Sequence, residues 1–108
     1  MLNSNLKGVS KLRDMTETVK QICASHEIKN SLGLHARPAS LFVQIASSFK
    51  SEILVEKDGD MVNGKSLMGL LMLAAGCGSK INLTISGDDA DAAHLAIAAL
   101  IESKFNEE

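Results

Sequence analysis

The segment Lys80-Ile81-Asn82-Leu83-Thr84-Ile85-Ser86 alternates polar and apolar residues without a fault. Successive strand side chains point to opposite faces, so Ile81, Leu83 and Ile85 share one side of a strand and polar residues the other. Such a strand belongs to a sheet with one buried and one wet face. A sheet of that kind needs all its helices on a single side, which restricts the chain to a two-layer α+β architecture.

The neighbouring segments supply the other parts. Glu52-Ile53-Leu54-Val55-Glu56-Lys57 reads as a strand, and Asp58-Gly59 is a strong two-residue hairpin signal. Closing the hairpin there sets Lys57 against Asp60, Val55 against Val62 and Ile53 against Gly64, so turn chemistry and apolar pattern agree. A further strand runs from Ile22 to Ile28, with Ile22, Ala24, His26 and Ile28 on one face. His26 is the weak member of that face and reads as a partly buried residue near a sheet edge.

Three segments have helical period. From Ala36 to Ser48, Ala39, Phe42, Val43, Ala46 and Phe49 recur at spacings of three and four, with Arg37, Ser40, Gln44, Ser47 and Ser48 opposite. Pro38 fits the first turn, where a missing N–H costs nothing, which sets His35 at or next to the N-cap. Ser66 is a natural N-cap for a helix from Leu67 to Ala75, and Gly76 a natural residue just past its end. That helix is apolar on nearly every side. With Leu70, Leu73 and Ala74 packed inward, some of Leu67, Met68, Leu71 and Met72 must face water, which points to a partner surface. Gly87-Asp88-Asp89 turns and caps a last helix to about Lys104, with Ala90, Ala93, Ile97, Leu100 and Ile101 buried and His94 at the boundary. The expected fold is an open-faced two-layer sandwich, a four-stranded antiparallel sheet with three helices on one face in the order βαββαβα.

Composition narrows the function classes. The chain has 108 residues and a net charge of −2, and its aromatic residues are three Phe. It has neither the basic footprint nor the stacking platform of a nucleic-acid binder. No apolar run approaches the roughly 20 residues that span a membrane, and the start lacks the apolar segment of a secretory signal. Cys23 and Cys77 lie far apart without a CxxC and read as free thiols of a cytoplasmic protein. Residues 1–19 are polar and without clear period, an extension preceding a domain at 20–108; Met15 is a second possible start. No cofactor is expected. A metal site through His26, His35 and His94 lacks any ligand pair at helical or turn spacing.

The chemistry gathers at Gly33-Leu34-His35-Ala36-Arg37-Pro38-Ala39-Ser40. An unperturbed imidazole, with a pKa of about 6.5, offers a neutral ring nitrogen as nucleophile at cell pH. A helix N-terminus has unpaired N–H groups and partial positive charge, a ready site for a phosphate. Arg37 can add charge-assisted contacts to phosphate oxygens, and Gly33 lets the backbone turn tightly just before. Phosphoryl transfer depends mostly on positioning and charge stabilisation, and these residues supply both.

This stretch resembles the active-site signature of the HPr family, the histidine-containing phosphocarriers of the phosphoenolpyruvate-dependent sugar phosphotransferase system. Asn63-Gly64-Lys65-Ser66-Leu67-Met68-Gly69 resembles the family's second signature at the expected distance downstream. The resemblance covers roughly residues 22 to 104. It implies a two-layer sandwich and a stoichiometric carrier rather than an enzyme. His35 would take a phosphoryl group on Nδ1 from the phosphoenolpyruvate-dependent first enzyme and pass it to a histidine of a sugar-specific IIA component, with Arg37 assisting. Partners would grip the apolar surface at Leu67, Met68 and Leu71. The resemblance further implies that Ser66 is a substrate of a dedicated ATP-dependent serine kinase. A phosphate there, carrying about −1.5 to −2 charges, would oppose a partner that fits the unmodified surface. Three features depart from the family: the longer N-terminal extension, His26 where an apolar residue is usual, and the loop Lys29 to Leu32.

Two other functions compete. One is a regulatory binding module that keeps the fold and the Ser66 switch, although relatives of that kind typically lack the histidine that is present here as His35. The other is a carrier in a regulatory, nitrogen-linked branch without sugar transport. A monomer suits a carrier that shuttles between partners.

Overall fold

The computed structural model describes residues 20–107; the expected extension at 1–19 lies outside them. The elements are β1 (Gln21–Glu27), α1 (Ala36–Ser47), β2 (Glu52–Lys57), β3 (Asp60–Asn63), α2 (Leu67–Met72), β4 (Lys80–Ser86) and α3 (Ala90–Glu102), closed by a short turn at Lys104–Asn106. The strands form one antiparallel sheet in the order β1-β4-β2-β3. The strictly alternating strand β4 lies inside the sheet, paired with β1 on one edge and β2 on the other. Ile53, Val55, Ile81, Leu83 and Ile85 are buried on one face, while Glu52 and Asn82 are exposed on the other.

The helices cover the apolar face. Phe42, Ala39 and Ala46 of α1, Leu70 of α2, and Ala90, Ala93, Ile97, Leu100 and Ile101 of α3 join the sheet residues in one core. α3 packs over β1 and β4, and α1 packs against both other helices. The β2–β3 hairpin has the anticipated register, Lys57 against Asp60 and Val55 against Val62. Asp58 and Gly59 both take positive φ, 52° and 90°, as a tight primed turn requires. Beyond the ladder, the Gly64 N–H donates to the Ile53 carbonyl at 2.7 Å. A Cβ at Gly64 would lie 2.7 Å from Ile53 Cγ2, so the close approach demands glycine.

Two expectations fail, for tertiary reasons. First, α2 ends at Met72 instead of Ala75. Ala74 takes φ 52° in the place expected for Gly76, and it is exposed, while Ala75 is buried in its stead. After the early stop the chain turns so that the Ala75 carbonyl accepts the Leu34 N–H at 2.8 Å. Gly33, at φ 71°, presses against the same segment: a Cβ there would come within 2.6 Å of the Ala75 oxygen. Three more residues of helix would forfeit that junction.

Second, Asp89 occupies the N-cap position of α3, yet its side chain makes no capping bond. Its carboxylate instead accepts the N–H groups of Lys50 and Ser51, at 2.8 and 2.9 Å, and the Ser51 hydroxyl. These bonds hold its pKa below the usual carboxylate value, the Ser51 hydroxyl contributing most. The acid ties the entrance of β2 to the start of α3 rather than finishing its own helix.

Candidate functional site

His35 is the N-cap residue of α1, with extended backbone at φ −85° and ψ −168°. Its carbonyl accepts the Ala39 N–H at 2.9 Å, which starts the helix. Its side chain makes no capping bond and is free for other use. Pro38, buried in the first turn, has no N–H to leave unpaired; those of Ala36 and Arg37 have no partner within the helix, and such an end favours negative charge. Arg37 is exposed, and among the described residues its guanidinium makes no hydrogen bond or ion pair. The structure thus brings His35 and Arg37 together at one helix mouth.

The imidazole has a partner that sequence reading missed. His35 Nε2 lies 3.0 Å from Glu107 Oε2, with the two side chains 38% and 17% exposed. Glu107 Oε1 in turn accepts from Asn30 Nδ2 at 3.0 Å. Asn30, fully buried, also donates from Nδ2 to the Gly33 carbonyl at 2.7 Å. Nδ1 of His35 has no partner among the described residues. Nothing local marks Asn30 or Glu107 as members of this group: one lies in a polar loop, the other at the last described position, 72 residues from His35.

The apolar patch is real and adjoins this group. Leu67, Met68 and Met72 are 41%, 67% and 75% exposed. Leu71 is half-buried and lines a shallow hollow with Leu34, Ala75 and His35 itself. Leu32, 73% exposed, lines the same hollow and extends the patch from the loop side. Ser66 starts α2, and its Oγ accepts the Gly69 N–H at 3.0 Å, as expected of an N-cap. The six residues of α2 span about 9 Å. Ser66 therefore stands at one end of the patch and the His35 hollow at the other.

The remaining histidines gather elsewhere. His26 of β1 and His94 of α3 meet with Nε2 atoms 3.0 Å apart. Burial, and then the charge of His94, push the His26 pKa below the ordinary histidine value. Among the described residues, no three His, Cys, Asp or Glu side chains group as metal ligands. Cys23 and Cys77 are both free and exposed, and no helix among the described residues is long and apolar enough to cross a membrane.

Comparison with known proteins agrees with this geometry. A family model described as the PTS HPr component phosphorylation site matches residues 22–103. Phosphocarrier protein HPr of Treponema pallidum is 49% identical over 81 residues, covering 75% of this chain and 92% of its own. HPr-like protein Crh of Halalkalibacterium halodurans is 54% identical over 78 residues, covering 72% of this chain and 93% of its own. The crystal structure of HPr-C-His from Thermoanaerobacter tengcongensis superposes with a TM-score of 0.78 at 53% identity, covering 81% of this chain and 98% of that one. With two signatures in register, the same sandwich and relatives matched over nearly their whole length, the chain belongs to the HPr family, the phosphocarrier proteins of the phosphotransferase system, which carry a phosphoryl group rather than catalyse a reaction.

Proposed function

We propose that His35 accepts a phosphoryl group on Nδ1 from the phosphoenolpyruvate-dependent first enzyme and delivers it to IIA components of sugar permeases, in the cytoplasm and as a monomer. The observation that supports this most is the division of the ring. Nε2 is engaged by Glu107, while among the described residues neither Nδ1 nor the neighbouring Arg37 at this helix N-terminus has a partner. In the transfer, the Nδ1 lone pair attacks the donor's phosphorus. The bond from that phosphorus to the donor breaks, its electrons going to the donor. Arg37 and the first-turn N–H groups offset the charge on the phosphoryl oxygens. Leu67, Met68 and Leu71 give the partners an apolar hold beside the reacting ring.

Ser66 has a regulatory part in this reading. A serine kinase would place a dianion at the start of α2, where the helix end tolerates it but an apolar partner does not. The regulatory-module alternative draws on this serine and on the similarity to Crh. The nitrogen-linked alternative keeps His35 as carrier and changes only the recipient.

One paired labelling experiment tests the scheme. With phosphoenolpyruvate and first enzyme, the protein takes an acid-labile label that His35→Ala abolishes. With ATP and the serine kinase, it takes an acid-stable label that Ser66→Ala abolishes. An unlabelled wild type, beside a second carrier labelled by the same enzyme, would overturn the carrier reading and favour the module. An acid-stable label that survives Ser66→Ala would remove the serine from the scheme.

A further inference from the structure

We propose that Asn30 and Glu107 are positioning residues that fix the tautomer of His35, so that the proton stays on Nε2 and the lone pair on Nδ1. The inference rests on the carrier reading of His35 and adds how the accepting nitrogen is chosen.

A carboxylate only accepts hydrogen bonds. An imidazole nitrogen 3.0 Å from Glu107 Oε2 must therefore carry the hydrogen of that bond. The neutral ring is then protonated at Nε2, and its in-plane lone pair lies on Nδ1. As Nδ1 attacks phosphorus, positive charge grows on the ring, and a carboxylate already seated at Nε2 stabilises it without rearranging. The same logic lets a buried acid hold a catalytic histidine in its working tautomer.

The carboxylate is held there by two devices. The first is the closing turn. Lys104, Phe105 and Asn106 all take left-handed backbone, with φ of 58°, 56° and 60°. That conformation is unfavourable for residues with a side chain, least so for asparagine. It is held by the complete burial of Phe105 and by bonds from the Asn106 and Glu107 N–H groups to the Ser103 and Lys104 carbonyls, both at 3.1 Å. The turn brings the chain back from α3 and delivers Glu107 to the mouth of α1.

The second device is Asn30. Its Nδ2 carries two hydrogens: one goes to the Gly33 carbonyl at 2.7 Å, the other to Glu107 Oε1 at 3.0 Å. One buried amide thus joins the carboxylate to the loop that carries His35. Turning the amide over would set Oδ1 against two acceptors, so only this orientation satisfies the group. Asn30 Oδ1 remains buried without a partner among the described residues. An orphaned buried acceptor is costly. The cost is offset by the two bonds from Nδ2, one within the loop and one to Glu107.

The test compares wild type with Glu107→Gln and Asn30→Asp. The first substitution sets an amide beside the ring, able to present a hydrogen to Nε2. The second removes both donors of the buried side chain while keeping its shape. Nitrogen-15 NMR of the imidazole reads the tautomer directly, which a merely structural role would not move. In wild type Nε2 shows the protonated signature and Nδ1 the lone-pair signature; in both variants the two become mixed. Phosphorylation by the first enzyme falls about 10–100-fold, the range seen when the groups that orient metal-bound histidines are replaced. The fall is in kcat, with KM unchanged because the docking patch is intact. Unfolding curves establish that each variant is folded. A folded Glu107→Gln with the wild-type tautomer pattern, or with wild-type kcat, overturns the inference while leaving the carrier reading standing. A wild type that takes no label overturns the carrier reading, and the NMR comparison still decides the tautomer.

Discussion

Two histidine sites in this domain share a distance and differ in everything that follows from it. His35 Nε2 lies 3.0 Å from a carboxylate, and His26 Nε2 lies 3.0 Å from another imidazole. A carboxylate has one role, as acceptor, so it dictates where the His35 proton sits. A second imidazole has both roles, so the His26–His94 bond admits two protonation patterns and by itself dictates neither. The rings there stand 5.2 Å apart and 48° to each other, half-buried between β1 and α3. Adding a second proton to that pair sets two cations together. The partner's charge, not the histidine's distance or burial, separates a ring prepared for nucleophilic work from one that joins a strand to a helix.

The comparison can be broken most severely at Phe105. It is buried in the core and anchors the turn that holds Glu107 at His35. Phe105→Ala should cost about 3–5 kcal/mol in urea unfolding. It should also release the carboxylate, leaving the His26–His94 contact in place. A loss below about 1 kcal/mol would mean that the turn is not anchored by this ring, since burying a Phe normally contributes more.

A smaller effect separates the sites by pH. Unfolded, His26 takes a proton near the ordinary value of about 6.5; folded, burial and His94 hold its pKa lower. Between those two values the unfolded state binds more protons, so stability falls as pH drops below about 6.5 toward the folded pKa. The nearby Glu102 opposes this shift and Lys29 adds to it. Replacing His26 by Leu should flatten the melting temperature as pH falls below about 6.5. An equally steep profile in that variant would show that the pair does not set the acid response.

The smallest effect is at Lys29, whose Nζ is 2.7 Å from Glu102 Oε1. Lys29→Met removes a positive charge that disfavours protonation of His26 and frees the acid that favours it. The His26 titration followed by proton NMR should move upward slightly. A downward movement would reverse the assigned signs.

Much of the molecule was legible before any coordinates. The alternation of Lys80–Ser86, the Asp58-Gly59 turn, the stripe Ala39-Phe42-Ala46 and the Ser66 cap are local patterns, and local patterns survive into the fold when the core agrees with them. His35 and Arg37 were legible because a helix mouth and a basic neighbour lie within three residues of each other. The end of α2 was misread because Gly76 is the better helix stop by propensity, while Ala74 wins on the bond between Ala75 and Leu34. Asp89 was misread for the same kind of reason, its carboxylate being claimed by Ser51, 38 positions away.

The sequence by itself determined the periods, the turns, the layer count and the placing of a histidine at the mouth of the first helix, because each depends on neighbours within a few positions. Tertiary structure alone decided which ring nitrogen of His35 faces a carboxylate. That choice needs Glu107, 72 residues away, and Asn30, 77 residues from Glu107. No local pattern encodes it. It exists only once Phe105 is buried and the left-handed turn has brought the end of the domain back to its first helix.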